Sequence, residues 1–276
     1  MQLKLGADPE FFVKKDGFNL SAHELVPGTK TEPYKLENGH VQVDGTAIEF
    51  NIEPANSPFE FSYNIESVLT QIRDMVPRDY SFDYVPSVRY TKKQMDELPD
   101  KAKELGCEPD YSAYNSEPVR NMRPNQRNLM RTGAGHIHIG WTEKMEPFDQ
   151  SHFWDCRQVT LQMNNIMGPM SKVWDHDEKR ASMYGNGPTL RPKSYGVEYR
   201  TPSNAWLNYP LIWNWIFQLV EAVMENMTKG KFVPFNINNY TANRLRTIVD
   251  TYDNVRKTYN LPPFPTNWEE QKISIV

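Results

Sequence analysis

The sequence predicts an α+β fold built on a mostly antiparallel sheet. Short apolar strands alternate with long stretches of helical periodicity, a pattern that favours strands paired to one another with helices on one side. Four of the strands carry ionisable residues on one face only. A sheet of that kind would pack its apolar face on helices and present the other face as a charged surface. The length of 276 residues suits one large domain or two small ones, and 12% aromatic residues can fill a core and speak against disorder.

The elements follow in order. Residues 2–13, rich in Leu, Phe and Val, read as a strand, with a turn at Lys15, Asp16 and Gly17. His40 to Ile52 reads as a strand, an Asp44-Gly45 turn and a second strand. From Ile65 the apolar positions Ile65, Val68, Leu69, Ile72 and Val76 have helical spacing. Residues 77–131, with many Pro, Asn and Arg, read as irregular, with one short charged helix near 91–105. The latter part is a candidate mobile loop and could supply a lid. Residues 133–141 read as a strand entered through glycines. A helix follows over 149–167, with Phe153, Cys156, Thr160, Met163 and Met167 inward. Gly196 to Thr201 is a strand. Two helices close the chain. One has the stripe Ile212, Trp215, Ile216, Leu219, Val220, Val223 and Met227; the other has Leu245, Ile248, Val249, Tyr252 and Val255. The whole reads as a single domain over 1–276, with a motif core over about 3–210 and a helical segment over about 211–276.

Charge excludes several classes. Lys+Arg (31) nearly balances Asp+Glu (35), and the net charge is -4. With no basic stripe, a nucleic-acid partner is not expected. No apolar stretch approaches the roughly 20 residues of a bilayer span, and MQLKLGADPE is not a signal peptide. Cys107 and Cys156 form no CxxC, so the expectation is a reducing cytoplasm.

Four segments carry the chemistry. In Asp8-Pro9-Glu10 two carboxylates share a strand face, where they repel unless a cation lies between them. Asp44 and Glu49 lie close to apolar Ile48 and Phe50. His136 and His138 face one way, Ile137 and Ile139 the other. Glu198 and Arg200 share a face opposite Val197 and Tyr199. Singly, each segment reads more readily as a solvated face; the joint occurrence of four points to a metal site. Hard oxygen ligands with a histidine suit Mg²⁺ or Mn²⁺ better than Zn²⁺. Arg180, Arg191, Lys193 and Arg200 accompany them in a stretch punctuated by glycines from Tyr184-Gly185-Asn186-Gly187 to Gly196. Alone that stretch reads as a charged surface loop; beside a metal face it reads as a phosphate clamp. There is no GxxxxGK[ST], HExxH or GxSxG.

At these residues the sequence resembles a known superfamily. LGADPEFFVKKDG is similar to the first metal-ligand strand of glutamine synthetase, and GAGHIHIG to the histidine strand shared by glutamine synthetases and glutamate–cysteine ligases. GVEYRTPSNAWL resembles the later Glu-x-Arg strand. The pattern from Arg180 to Asn204, with the strand from Asp44 to Asn51, resembles the phage-type COOH.NH2 ligase family, type 2. The resemblance implies a glutamine-synthetase-like catalytic domain and ATP as co-substrate. Asp8, Glu10, Glu49, His136 and Glu198, with Asp44 as a further member, would hold two or three Mg²⁺ or Mn²⁺ ions. Arg180, Arg191 and Lys193 would hold the ATP phosphates. Arg200, His138 and Asn51 would face the substrate, and Arg191, Arg200 and Glu198 would act in catalysis. Asp8 departs from the glutamate usual in glutamine synthetase. A phage-encoded enzyme would work in the host cytoplasm.

Such an enzyme transfers the γ-phosphoryl of ATP to a carboxylate, and an amine then attacks the acyl phosphate. Two anions must meet, so clustered metal ligands and arginines are the requirement. Arg191, in a loop bounded by glycine and proline, would reach over the site from above. The competing readings are a catalytically silent ligase-fold binding protein and a metal-dependent amide hydrolase. The hydrolase has no use for a phosphate clamp.

Overall fold

The structure, a computed structural model, describes residues 2–103, 110–119, 129–183, 187–234 and 245–273. The strands of the first half are β1 (Lys4–Lys15), β2 (Phe18–Leu20), β3 (Tyr34–Leu36), β4 (Gly39–Asp44), β5 (Ala47–Ile52), β6 (Ser81–Asp83) and β7 (Ser87–Arg89). Those of the second half are β8 (Asp110–Ser112), β9 (Pro118–Val119), β10 (Met130–Thr132), β11 (Gly135–Gly140), β12 (Thr189–Lys193) and β13 (Gly196–Tyr199). The helices are α1 (Pro58–Met75), α2 (Lys92–Glu97), α3 (Asp100–Lys103), α4 (Gln150–Ser171), α5 (Glu178–Met183), α6 (Pro210–Thr228) and α7 (Leu245–Tyr259). The main sheet runs β3-β4-β5-β1-β11-β13-β12-β8-β9, with β2 and β6 also paired to β1; the described pairings are antiparallel. The α+β class and the antiparallel sheet agree with the sequence.

Local chemistry places the strands. β1 turns into β2 through Asp16 (φ 52) and Gly17 (φ 79), the two left-handed residues a tight hairpin needs. α1 begins where Ser57 accepts the Glu60 amide and Pro58 takes the first turn. It therefore starts seven residues before the apolar stripe that announces it. Ile137, Ile139, Val197 and Tyr199 are buried on the apolar side of the sheet. There α1 packs on β4 and β5, and α4 on β12 and β13; α6 covers α1 and α4. Ile248 and Tyr252 of α7 join the same core.

Two segments differ from expectation. Within 77–131 the described residues include β6, β7, β8, β9 and β10, and the charged helix splits into α2 and α3 around Pro99. Strands of two or three residues have no periodicity to read. The described part of the expected lid thus carries short strands and helices; 104–109, including Cys107, and 120–128 lie outside the described residues, as do Tyr184, Gly185 and Asn186. Arg191 is not in a loop: it sits on β12, directly opposite Glu198. Pro192 hid that strand, and it is tolerated because β8 pairs with β12 only at Thr189 and Leu190. Among the described residues no helix is long and apolar enough to cross a membrane.

Candidate active site

Strand register brings the ionisable residues together. Gly6 on β1 lies opposite His138 on β11, which lies opposite Glu198 on β13, which lies opposite Arg191 on β12. Asp8 lies opposite His136. On the other side of β1, Glu10 opposes Glu49 and Glu49 opposes Gln42. Side chains two apart share a face, so Asp44 joins Gln42, and Lys193 joins Arg191. Distant segments thus place their polar residues on one face of five adjacent strands and β12. The glycine entrance to β11 is a steric need. A Cβ on Gly135 would meet the Ser203 carbonyl oxygen at 2.1 Å.

The first cluster is Asp8, His138 and Glu198, whose ligand atoms all lie within 4.8 Å of one another. His138 Nε2 is 3.0 Å from Asp8 Oδ1, yet neither atom has a hydrogen-bond partner. Two buried polar atoms that converge without a directed bond fit donors around a cation. Tyr195 Oη bonds His138 Nδ1 and so fixes the ring, as a supporting residue does for a metal-ligating histidine. His136 Nδ1 is 3.3 Å from Asp8 and 3.5 Å from Glu198, but it also accepts from Arg200 at 3.2 Å. The cluster that could hold an ion therefore contains His138, and His136, the ligand expected from the sequence, borders it. Burial pushes the Asp8 carboxyl up, but His138 and His136 more than offset this and hold it well below the usual range. Burial and Asp8 likewise push Glu198 up, and Arg200 with both imidazoles brings it down to about 2. For His138 burial is outweighed by Asp8, so its pKa rises; for His136 burial and Arg200 lower it.

The second cluster is Glu10, Asp44 and Glu49, again within 4.8 Å of one another. Glu10 Oε2 accepts the Ala134 amide at 3.0 Å, and Glu49 Oε2 accepts from Gln42 at 2.6 Å. Burial and then Asp44 push Glu10 up to about 7. Burial, Asp8, Glu10 and Asp44 push Glu49 well above its ordinary value. Asp44, the further member expected from the sequence, is inside this cluster. The all-oxygen donor set fits Mg²⁺ or Mn²⁺.

A basic flank borders the first cluster. Arg200 contacts Glu198 through Nη1 and Asp110 Oδ1 through Nε at 2.5 Å. Arg191 lies 3.3 Å from Asp110 and 3.8 Å from Glu198, and Lys193 Nζ is 2.9 Å from Glu198 Oε2. Burial works against the Arg200 charge, but Glu198 and Asp110 raise its pKa. Arg180 is a correction to the phosphate-clamp expectation. It is buried, and its guanidinium donates to the carbonyls of Gly133 (3.1 Å), Thr201 (3.1 Å) and Pro202 (2.9 Å). It ties α5 to the segments flanking β11 and β13. Asn51 binds His40 Nδ1 at 3.1 Å and lines a cavity of 660 Å³ bordered also by Gly6, Asp8, His138, Trp141 and Tyr195.

Sequence reasoning missed Asp110, Tyr195, Lys30 and Gln42. Gln42 was findable, because it alternates with Asp44 on a strand already read. Asp110 and Tyr195 carried no local signal, since short strands and turns bring them in.

No family model matches the sequence, and no curated protein matches it. Among solved structures, a bifunctional glutathione synthetase from Pasteurella multocida matches at 9% identity with a TM-score of 0.32. The match covers 94% of this chain and 39% of that one, so the chain spans about two-fifths of the protein it matches. A likeness this loose assigns neither family nor activity.

Proposed function

We propose that the chain is an ATP-dependent carboxylate–amine ligase with a glutamine-synthetase-like catalytic domain, akin to the phage-type COOH.NH2 ligases. The observation that carries the reading is the common polar face, where two carboxylate clusters adjoin two arginines and a lysine. Asp8, Glu198 and His138, with His136 beside them, would hold one divalent ion. Glu10, Asp44 and Glu49 would hold another. When bound, Mg²⁺ or Mn²⁺ would offset the charge of two anions brought together.

The protein's own groups divide the remaining work. The cavity beside His138, walled by Trp141 and Tyr195, accepts the nucleoside. Lys193, beside Glu198, and Arg191 on β12 receive the phosphates. Arg200, held between Glu198 and Asp110, fixes the transferring phosphoryl group against the acceptor carboxylate. A carboxylate oxygen attacks the γ-phosphorus, and ADP leaves. The amine then attacks the carbonyl carbon, and phosphate leaves as the amide forms. The test is a screen of paired acids and amines for ADP release with Mg²⁺ or Mn²⁺, with the product identified by mass. Release that requires both partners and yields the amide supports the ligase. Amide cleavage without ATP would replace it with the hydrolase.

A further inference from the structure

The two carboxylate clusters differ in their counter-charges. Arg200, Arg191 and Lys193 contact Glu198 of the first. At the second, among the described residues, Lys30 Nζ stands 2.7 Å from Asp44 Oδ2. A lysine ammonium is a compact point charge on a flexible stem, and here it is held on one of the three carboxylates of the cluster. We propose that Lys30 is a tethered cation that competes with the divalent ion for the Glu10–Asp44–Glu49 cluster, so that loading the ion releases the ammonium from Asp44. The inference rests on the metal-dependent ligase reading.

The backbone around Lys30 is built to present the side chain and leave it free to leave. Gly28 is left-handed (φ +93), and a Cβ there would meet the Val41 carbonyl oxygen at 2.4 Å and the Tyr34 nitrogen at 2.6 Å. Only glycine lets the loop lie that close to β3 and β4. Thr29 and Glu32 then close a turn with reciprocal backbone bonds of 3.0 and 3.1 Å, and Thr29 Oγ1 accepts the Glu32 amide at 3.2 Å. The turn holds itself without help from Lys30. The Lys30 side chain is 44% exposed, so its ammonium reaches water by rotating about the stem with the backbone fixed. A divalent ion draws its oxygens to within about 2.6 Å, and a positive charge held on Asp44 both blocks a ligand and repels the ion.

The experiment measures Mn²⁺ binding to the full chain without ATP, by calorimetry, for the wild type, Lys30→Met and Lys30→Arg. Removing one positive charge beside a divalent ion should tighten binding about tenfold or more, while Lys30→Arg stays near the wild type. Acetylation of Lys30 by acetic anhydride, followed by mass spectrometry, should speed up when Mn²⁺ is added. Adding Glu49→Gln to Lys30→Met should abolish the gain. Equal or weaker binding by Lys30→Met, with wild-type binding intact, overturns this inference and leaves the metal reading standing. No Mn²⁺ binding by any variant overturns the metal reading and the inference together.

Discussion

Asp110→Ala should destabilise the protein by about 3 kcal/mol. The Asp110 side chain is 6% exposed and meets two guanidinium groups, Arg200 at 2.5 Å and Arg191 at 3.3 Å. A pair of unit charges about 4 Å apart is worth roughly 4 kcal/mol at an effective dielectric of about 20, before desolvation is subtracted. Breaking a buried pair by removing one partner costs about 3–5 kcal/mol, because the other charge stays buried. Glu198 remains in contact with Arg200, so the lower end applies. In a chain of this size that corresponds to a fall in Tm of roughly 6–12 °C. Asp110→Asn keeps an acceptor and should lose less. The assay is urea unfolding, with ΔG taken from the midpoint and slope. A cycle with Arg200→Gln should show a coupling of about 1 kcal/mol or more. A change within about 0.5 kcal/mol for Asp110→Ala would refute the reasoning, since ordinary surface substitutions fall in that range.

Further outcomes are expected. Arg200→Lys keeps the charge and loses the fork, so kcat should fall by roughly 10²-fold while the KM for ATP changes much less; steady-state ADP release checks both. Arg180→Ala should act on stability, losing roughly 3 kcal/mol as three carbonyls, two of them in buried bonds, lose a charged donor, with the KM for ATP of the folded protein unchanged. Glu10 titrates at about 7 against an ordinary 4.5, so the folded protein holds its proton more tightly than the unfolded chain. Stability from this group is complete below about pH 4.5 and declines by about 3 kcal/mol as pH rises to 7 in EDTA. Urea midpoints at pH 5 and 7.5 test that, and saturating Mg²⁺ should erase the decline.

The charged face was legible because strands alternate. Asp8 with Glu10, His136 with His138 and Glu198 with Arg200 each had to share a side wherever the strand lay. The burial of Ile137, Ile139, Val197 and Tyr199 follows from the same rule. Which strands adjoin was not legible, since register is set by long-range pairing. That is why the cluster with Asp8 and Glu198 includes His138, with His136 at its border, and why Asp110 went unseen. Arg180 misled for another reason. An arginine in a glycine-rich stretch looks the same whether its guanidinium meets phosphate or backbone carbonyls, and only the fold distinguishes them.

The same register explains how one sheet face can hold so many charges. Around the first cluster, Asp8, Glu198 and Asp110 are matched among the described residues by Arg191, Arg200 and Lys193. Around the second, Glu10, Asp44 and Glu49 share the charge of Lys30 in the described contacts. The first is close to neutral without any ion, and Asp8 and Glu198 are accordingly held ionised. The second carries an excess of negative charge that two of its members relieve by holding protons, which is what raised carboxyl pKa values mean. A divalent ion bound there would offset that excess and displace those protons. The second cluster therefore has the greater electrostatic need for an ion and the stronger dependence on pH.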